Sequence, residues 1–170
     1  LAKAEAEKSM DADTQTIKKL PYKEMANNGW VPATKKPSEK VLALRRFFEV
    51  VELSLLEDQK LIPQIACRRQ SITEKADYAL IAWAQKAKLE TRNIEVSPIN
   101  LEKLTTCLSQ IRKMTTMDPG KFRQELTSTL ADCGIAIVFL PHIGGSFLHG
   151  ATFFDKNKIV LGLTVRGKDA

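Results

Sequence analysis

From Val41 to Leu130 the apolar residues recur mostly every three or four positions, the spacing of one face of an α-helix. Val41, Leu42, Leu44, Phe47 and Phe48 make one such stripe, on a helix for which Ser38 is the expected N-cap. Ahead of it, Pro21 suits the first turn of a short helix over Tyr22–Asn28, which Gly29 stops by taking the left-handed conformation. Leu53, Leu55 and Leu56 add a further apolar turn. Ser71-Ile-Thr-Glu74 fits a capping box and opens the longest helix, about 74–92. Tyr78, Ile81, Ala82 and Leu89 lie at helical spacing there, with Trp83 on or beside their face. Leu101, Leu104, Leu108 and Ile111 repeat behind Asn100. Phe122, Leu126 and Leu130 do so behind Asp118-Pro119, with Gly134 as the expected C-cap.

The period then changes. Ile135–Leu140 is continuously apolar and β-branched, which suits a strand buried on both faces and ended by Pro141. Ala151–Phe154 and Lys158–Val165 flank Asp155-Lys-Asn157, a polar turn that predicts an antiparallel hairpin. The expected class is α+β, mainly helical: five or six helices, then a small sheet of one strand and a hairpin. Residues 1–20 carry little apolar pattern and read as a polar, partly helical connector, the tail of a longer chain. Residues 21–70 read as a helical linker region, and 71–170 as a separate α+β unit.

At 170 residues, 44% hydrophobic and 27% charged, the composition is that of a globular protein able to bury a real core. No apolar run approaches the roughly 20 residues that cross a bilayer. Residues 1–20 show no apolar signal-peptide core, which points to the cytoplasm. Most of the net charge of +6 resides in 61–117, with nine basic and five acidic side chains. That surplus permits a contact with nucleic acid without demanding it; a solvated helical face is the stronger reading. Cys67, Cys107 and Cys133 form no C-x-x-C pair, and each sits in an apolar context that favours a structural thiol.

Candidate chemistry is sparse. His142 and His149 flank Gly144-Gly145, but zinc needs three or four ligands, and only Asp155 follows nearby. The glycines lead toward a strand rather than a helix, so they make no phosphate loop, and Ser146 has no nucleophile elbow around it. No catalytic or metal-binding residue is assigned. Arg68 and Arg69, with Arg45 and Arg46, are candidate phosphate contacts, set against the stronger reading of solvated helix faces.

The order helix, strand, glycine-rich connection and hairpin over DPGKFRQELTSTLADCGIAIVFLPHIGGSFLHGATFFDKNKIVLGLTVR resembles the opening of the ImmA/IrrE family of zinc peptidases. PYKEMANNGWVP and KVLALRRFF resemble the connector that joins an XRE-type helix-turn-helix to the peptidase-like domain in longer regulators. ALIAWAQKAKLE resembles the region after it, so the likeness runs over about 20–166. The resemblance implies that 71–170 is the N-terminal part of such a domain. It also implies a bacterial or phage regulator with DNA bound by an upstream domain, and zinc held by an H-E-x-x-H helix after the second hairpin strand. Residues 1–170 contain neither, so zinc is implied only for the full-length protein. In such peptidases an edge strand can hold an extended substrate, a role expected here of Gly150, Ala151, Thr152, Phe153 and Phe154. A peptide substrate or protein partner is implied, and no membrane. The alternative is a non-catalytic protein-interaction or dimerisation module, including a homodimer.

Overall fold

The computed structural model describes residues 2–57, 66–69, 74–144 and 148–165. The described residues form six α-helices and a four-stranded mixed sheet, a mainly helical α+β fold. The helices are α1 (Ala2–Lys19), α2 (Tyr22–Asn27), α3 (Pro37–Phe48), α4 (Glu74–Thr91), α5 (Leu101–Met114) and α6 (Pro119–Ala131). A 3-10 turn spans Leu53–Glu57. The strands are β1 (Ala66–Arg69), β2 (Ile135–Pro141), β3 (Leu148–Asp155) and β4 (Lys158–Val165), in the spatial order β1-β3-β4-β2. β2 pairs parallel to β4, while β3 pairs antiparallel to both β4 and β1.

α4 is the centre of the molecule. Seven consecutive residues, Tyr78–Ala84, are buried, so the helix is enclosed all round rather than along one stripe. Tyr78, Ala79, Ile81 and Ala82 face a core built with Met25, Leu44, Phe47, Phe48, Leu53 and Leu56. Leu80, Trp83 and Ala87 face the opposite way, onto Val138, Leu140, Leu148, Ala151 and Val160 of the sheet. Both cores therefore draw on the same helix. The sheet's other face packs Ile135 and Ile137 against Leu126 and Leu130 of α6, with Leu104, Ile111, Phe139, Leu161 and Leu163 half-buried around them.

Gly162 explains how Trp83 fits. A Cβ on Gly162 would fall on the far ring carbons of the indole, so the strand offers the ring bare backbone. Gly134, at φ +87, turns the chain from α6 into β2, and a Cβ there would meet the Ile99 backbone.

Several sequence expectations change in detail. Residues 1–20, expected as a connector, form the 18-residue α1, which packs on α3 and the 3-10 turn. α3 starts at Pro37, with Lys36 and not Ser38 at the N-cap, because proline's fixed φ favours the first helical position. Leu42 and Leu55, each 52% exposed, leave their expected stripes for the surface. The cap of α6 is Asp132; Gly134 supplies the left-handed turn two residues later. Residues 66–69, placed in the helical linker region by pattern, are strand β1, so Arg68 and Arg69 lie on a strand and not on a helix face. The Ser71–Thr73 part of the expected capping box, Gly145, Ser146 and Arg166 lie outside the described residues.

Candidate functional site

An apolar groove of about 560 Å3 lies where the end of α3, the 3-10 turn, α4 and the end of β3 meet. The ladder between β1 and β3 ends at Ala66↔Thr152, so among the described residues Phe153, Phe154 and Asp155 pair with β4 alone. Alternation along the strand sends Phe153 toward α4 and Phe154 to the opposite face. Both rings line the groove, which therefore wraps the Phe153–Phe154 end of the strand. Phe48, Val50, Leu55, Leu56, Ile81 and Ala84 supply the rest of its apolar wall. Phe154 is 73% exposed, and Val51 beside the groove is 77% exposed. Among the described lining residues, Gln85 and Lys88 are the polar ones.

Of these two, Gln85 is engaged within the fold. Gln85 Nε2 donates to the Phe47 carbonyl at 2.8 Å, closing the end of α3. Next to it, Glu49 takes the left-handed conformation at φ +58 and accepts two hydrogen bonds from Arg92 Nη2, at 2.8 and 2.7 Å. That hydrogen bonding, aided by the charges of Arg92 and Lys88, holds the Glu49 carboxyl below its usual range against the opposing effect of burial. Among the described residues of the groove's lining, Lys88 is the one cation.

The other predicted residues are dispersed. Gly150, Ala151 and Thr152 are covered on one side by β1, at Arg68↔Gly150, Cys67↔Ala151 and Ala66↔Thr152. The expected edge strand is therefore an interior strand over those residues, and among the described residues only its Phe153–Phe154 end lacks a partner on that side. The pattern had left 66–69 in a helical region, which concealed the covering strand. His142 follows β2 and is exposed; His149 is exposed on β3. Asp155 lies at the hairpin turn, paired across the ladder with Lys158. Among the described residues no cluster of three His, Cys, Asp or Glu side chains is placed to hold a metal ion. No described helix is long and apolar enough to cross a membrane.

The sequence reading missed the α3 and α4 walls of the groove. Their one visible signal was Val50-Val51, apolar residues that follow the α3 stripe without joining it. Comparison with protein-family models, curated proteins and solved structures gave no match.

Proposed function

We propose that the chain is the central scaffold of a cytoplasmic, ImmA/IrrE-like transcriptional regulator, coupling DNA binding to a peptidase-like sensing or cleavage domain. The observation that carries this reading is the order α6–β2–β3–β4, with β4 returning parallel to β2 and β3 folded back as a hairpin. It is the order of elements that the sequence resemblance implies ahead of a zinc helix. A half-covered sheet face supports it too. Phe139, Leu161 and Leu163 are only half-buried beside α6, which leaves apolar surface for a further helix.

In this reading DNA is bound by a helix-turn-helix preceding Leu1, and the zinc ligands and catalytic glutamate follow Ala170. The described residues do not fit the metal themselves. Zinc needs three or four converging ligands, and the described residues bring no such set together. No catalytic step is therefore assigned to this chain. The test is the metal content of the protein expressed from its complete reading frame. Near-stoichiometric zinc, lost when the first histidine of an H-E-x-x-H motif is substituted, is expected; a metal-free protein would remove the peptidase reading.

A second reading, a non-catalytic interaction or dimerisation module, is favoured by the groove around Phe153 and Phe154. Large exposed apolar patches mark protein contacts. It predicts that the 170-residue chain captures a partner or self-associates, and strictly monomeric behaviour with no capture would count against it.

A further inference from the structure

The groove has a polarity along its length. From α4 it is lined by Ile81, Ala84, Gln85 and Lys88, whose spacings of three and four residues put them on one helix face. That wall runs about 10 Å from Ile81 to Lys88. At its start Ile81 belongs to the buried core with Phe48 and Leu56, which also line the groove. At its end Lys88 is half-buried, the setting in which a lysine lays its stem along apolar surface and keeps its ammonium at the solvent edge.

Among the described residues Lys88 makes no ion pair. Glu90, the acid of the same helical turn, is bound by Lys86. Glu49, whose carboxylate Lys88 influences through space, accepts two hydrogen bonds from Arg92. Asp155 also acts on Arg92, and neither Glu49 nor Asp155 lines the groove. The ammonium thus stands at one end of an apolar cleft of about 560 Å3. That size and lining are those of small-ligand sites, where a few polar groups set the orientation.

We propose that this groove binds a fatty acid, with the acyl chain along Phe48, Leu55, Ile81 and Phe153–Phe154 and the carboxylate on Lys88. A single-chain acid is apolar along its length and anionic at one end, the same order of surfaces that the α4 wall presents. The inference goes beyond the protein-contact reading of this groove, because an uncharged apolar partner makes no use of Lys88. Burial of the chain supplies affinity, about fourfold per methylene, and the ammonium selects the head group.

The test is calorimetric titration of the whole chain with decanoate, and with decanol as the uncharged head-group control. Saturable binding of decanoate is expected, at least about fivefold tighter than that of decanol. Octanoate, two methylenes shorter, should bind roughly tenfold more weakly than decanoate. Lys88→Met should bring decanoate down to the level of decanol while leaving decanol unchanged, which also shows that the variant is folded. Phe154→Asp should weaken both. Decanol binding as tightly as decanoate would overturn the proposal and leave the groove to an uncharged apolar partner. Equal loss of both ligands in Lys88→Met, or no saturable binding of decanoate, would overturn it as well.

Discussion

Asp13 and Arg45 form an ion pair of 2.6 Å that joins α1 to α3, with the Asp13 side chain 1% exposed. The second oxygen, Oδ1, accepts from Leu53 N at 2.8 Å, so one side chain anchors two helices and the 3-10 turn. Arg45 Nη2 also donates to Ser9 Oγ at 2.9 Å. A carboxylate is stable at such burial only because its partners replace the water it has lost.

Asp13→Ala should cost about 3 kcal/mol, since it strands the Arg45 charge and the Leu53 amide together. Urea denaturation would measure it. A loss no larger than that of an exposed-site control such as Asp11→Ala would show that α1 docks without the pair.

Gly162→Ala should destabilise by about 2 kcal/mol, because the added methyl group falls on Trp83, which is itself 0% exposed. The indole must shift or the strand must move. Thermal unfolding followed by tryptophan emission reads both effects. An unchanged midpoint and unchanged spectrum would mean that the ring has room the packing does not show.

Helices α2–α6 and the parallel and hairpin strands were legible because an apolar face repeats at helical or strand period. α1 was missed as a packed helix because its inward positions are polar. Ser9, Asp13 and Thr16 follow the helical spacing, and Asp13 and Thr16 are buried through hydrogen bonds and charge rather than apolar area. β1 was missed because four residues, ACRR, carry too little alternation to signal a strand. That omission also moved the expected edge. The groove was illegible for another reason: Phe48, Leu55, Ile81 and Phe154 come together only through tertiary packing, and no local spacing connects them.

Lys158 is 8% exposed and donates to the carbonyls of Thr91, Arg92 and Ile94, the last at 3.1 Å. It sits at the C-terminus of α4, where carbonyls lack helical partners and a positive charge is favourable. Lys158→Met keeps the stem's packing but removes the ammonium and its bonds. It should cost about 2 kcal/mol in chemical denaturation, through loss of charge-assisted hydrogen bonds. A neutral result would mean that water replaces the ammonium at those carbonyls.

The Glu49–Arg92 pair gives stability a pH dependence of known sign. Hydrogen bonding to Arg92 lowers the Glu49 carboxyl from its ordinary 4.5, so the folded chain holds this carboxylate ionised to lower pH than the unfolded chain does. Its stabilisation is complete above that ordinary value and is lost as pH falls through the folded value. Both side chains are nearly half exposed, so the effect is small and weakened by salt. Glu49→Gln should flatten the acid limb of a stability–pH profile at low salt. Coincident profiles for the two proteins would show that the pair contributes nothing.

Phe154→Asp separates the groove as a receptor from the groove as packing. The ring is 73% exposed, so its loss should change stability by no more than about 0.5 kcal/mol. It nevertheless lines the cleft beside Leu55 and Leu56, and a carboxylate there would repel apolar side chains. Binding of an apolar fluorescent probe such as anilinonaphthalene sulfonate, titrated against the folded chain, should weaken several-fold. Leu55→Asp, on the 3-10 turn, should do the same. Leu108→Asp is the control, since Leu108 is 47% exposed on α5 and does not line the groove. Equal losses in all three would assign the probe to general surface hydrophobicity. A loss confined to Phe154 and Leu55 would locate the binding surface in the groove, at the Phe153–Phe154 end of β3.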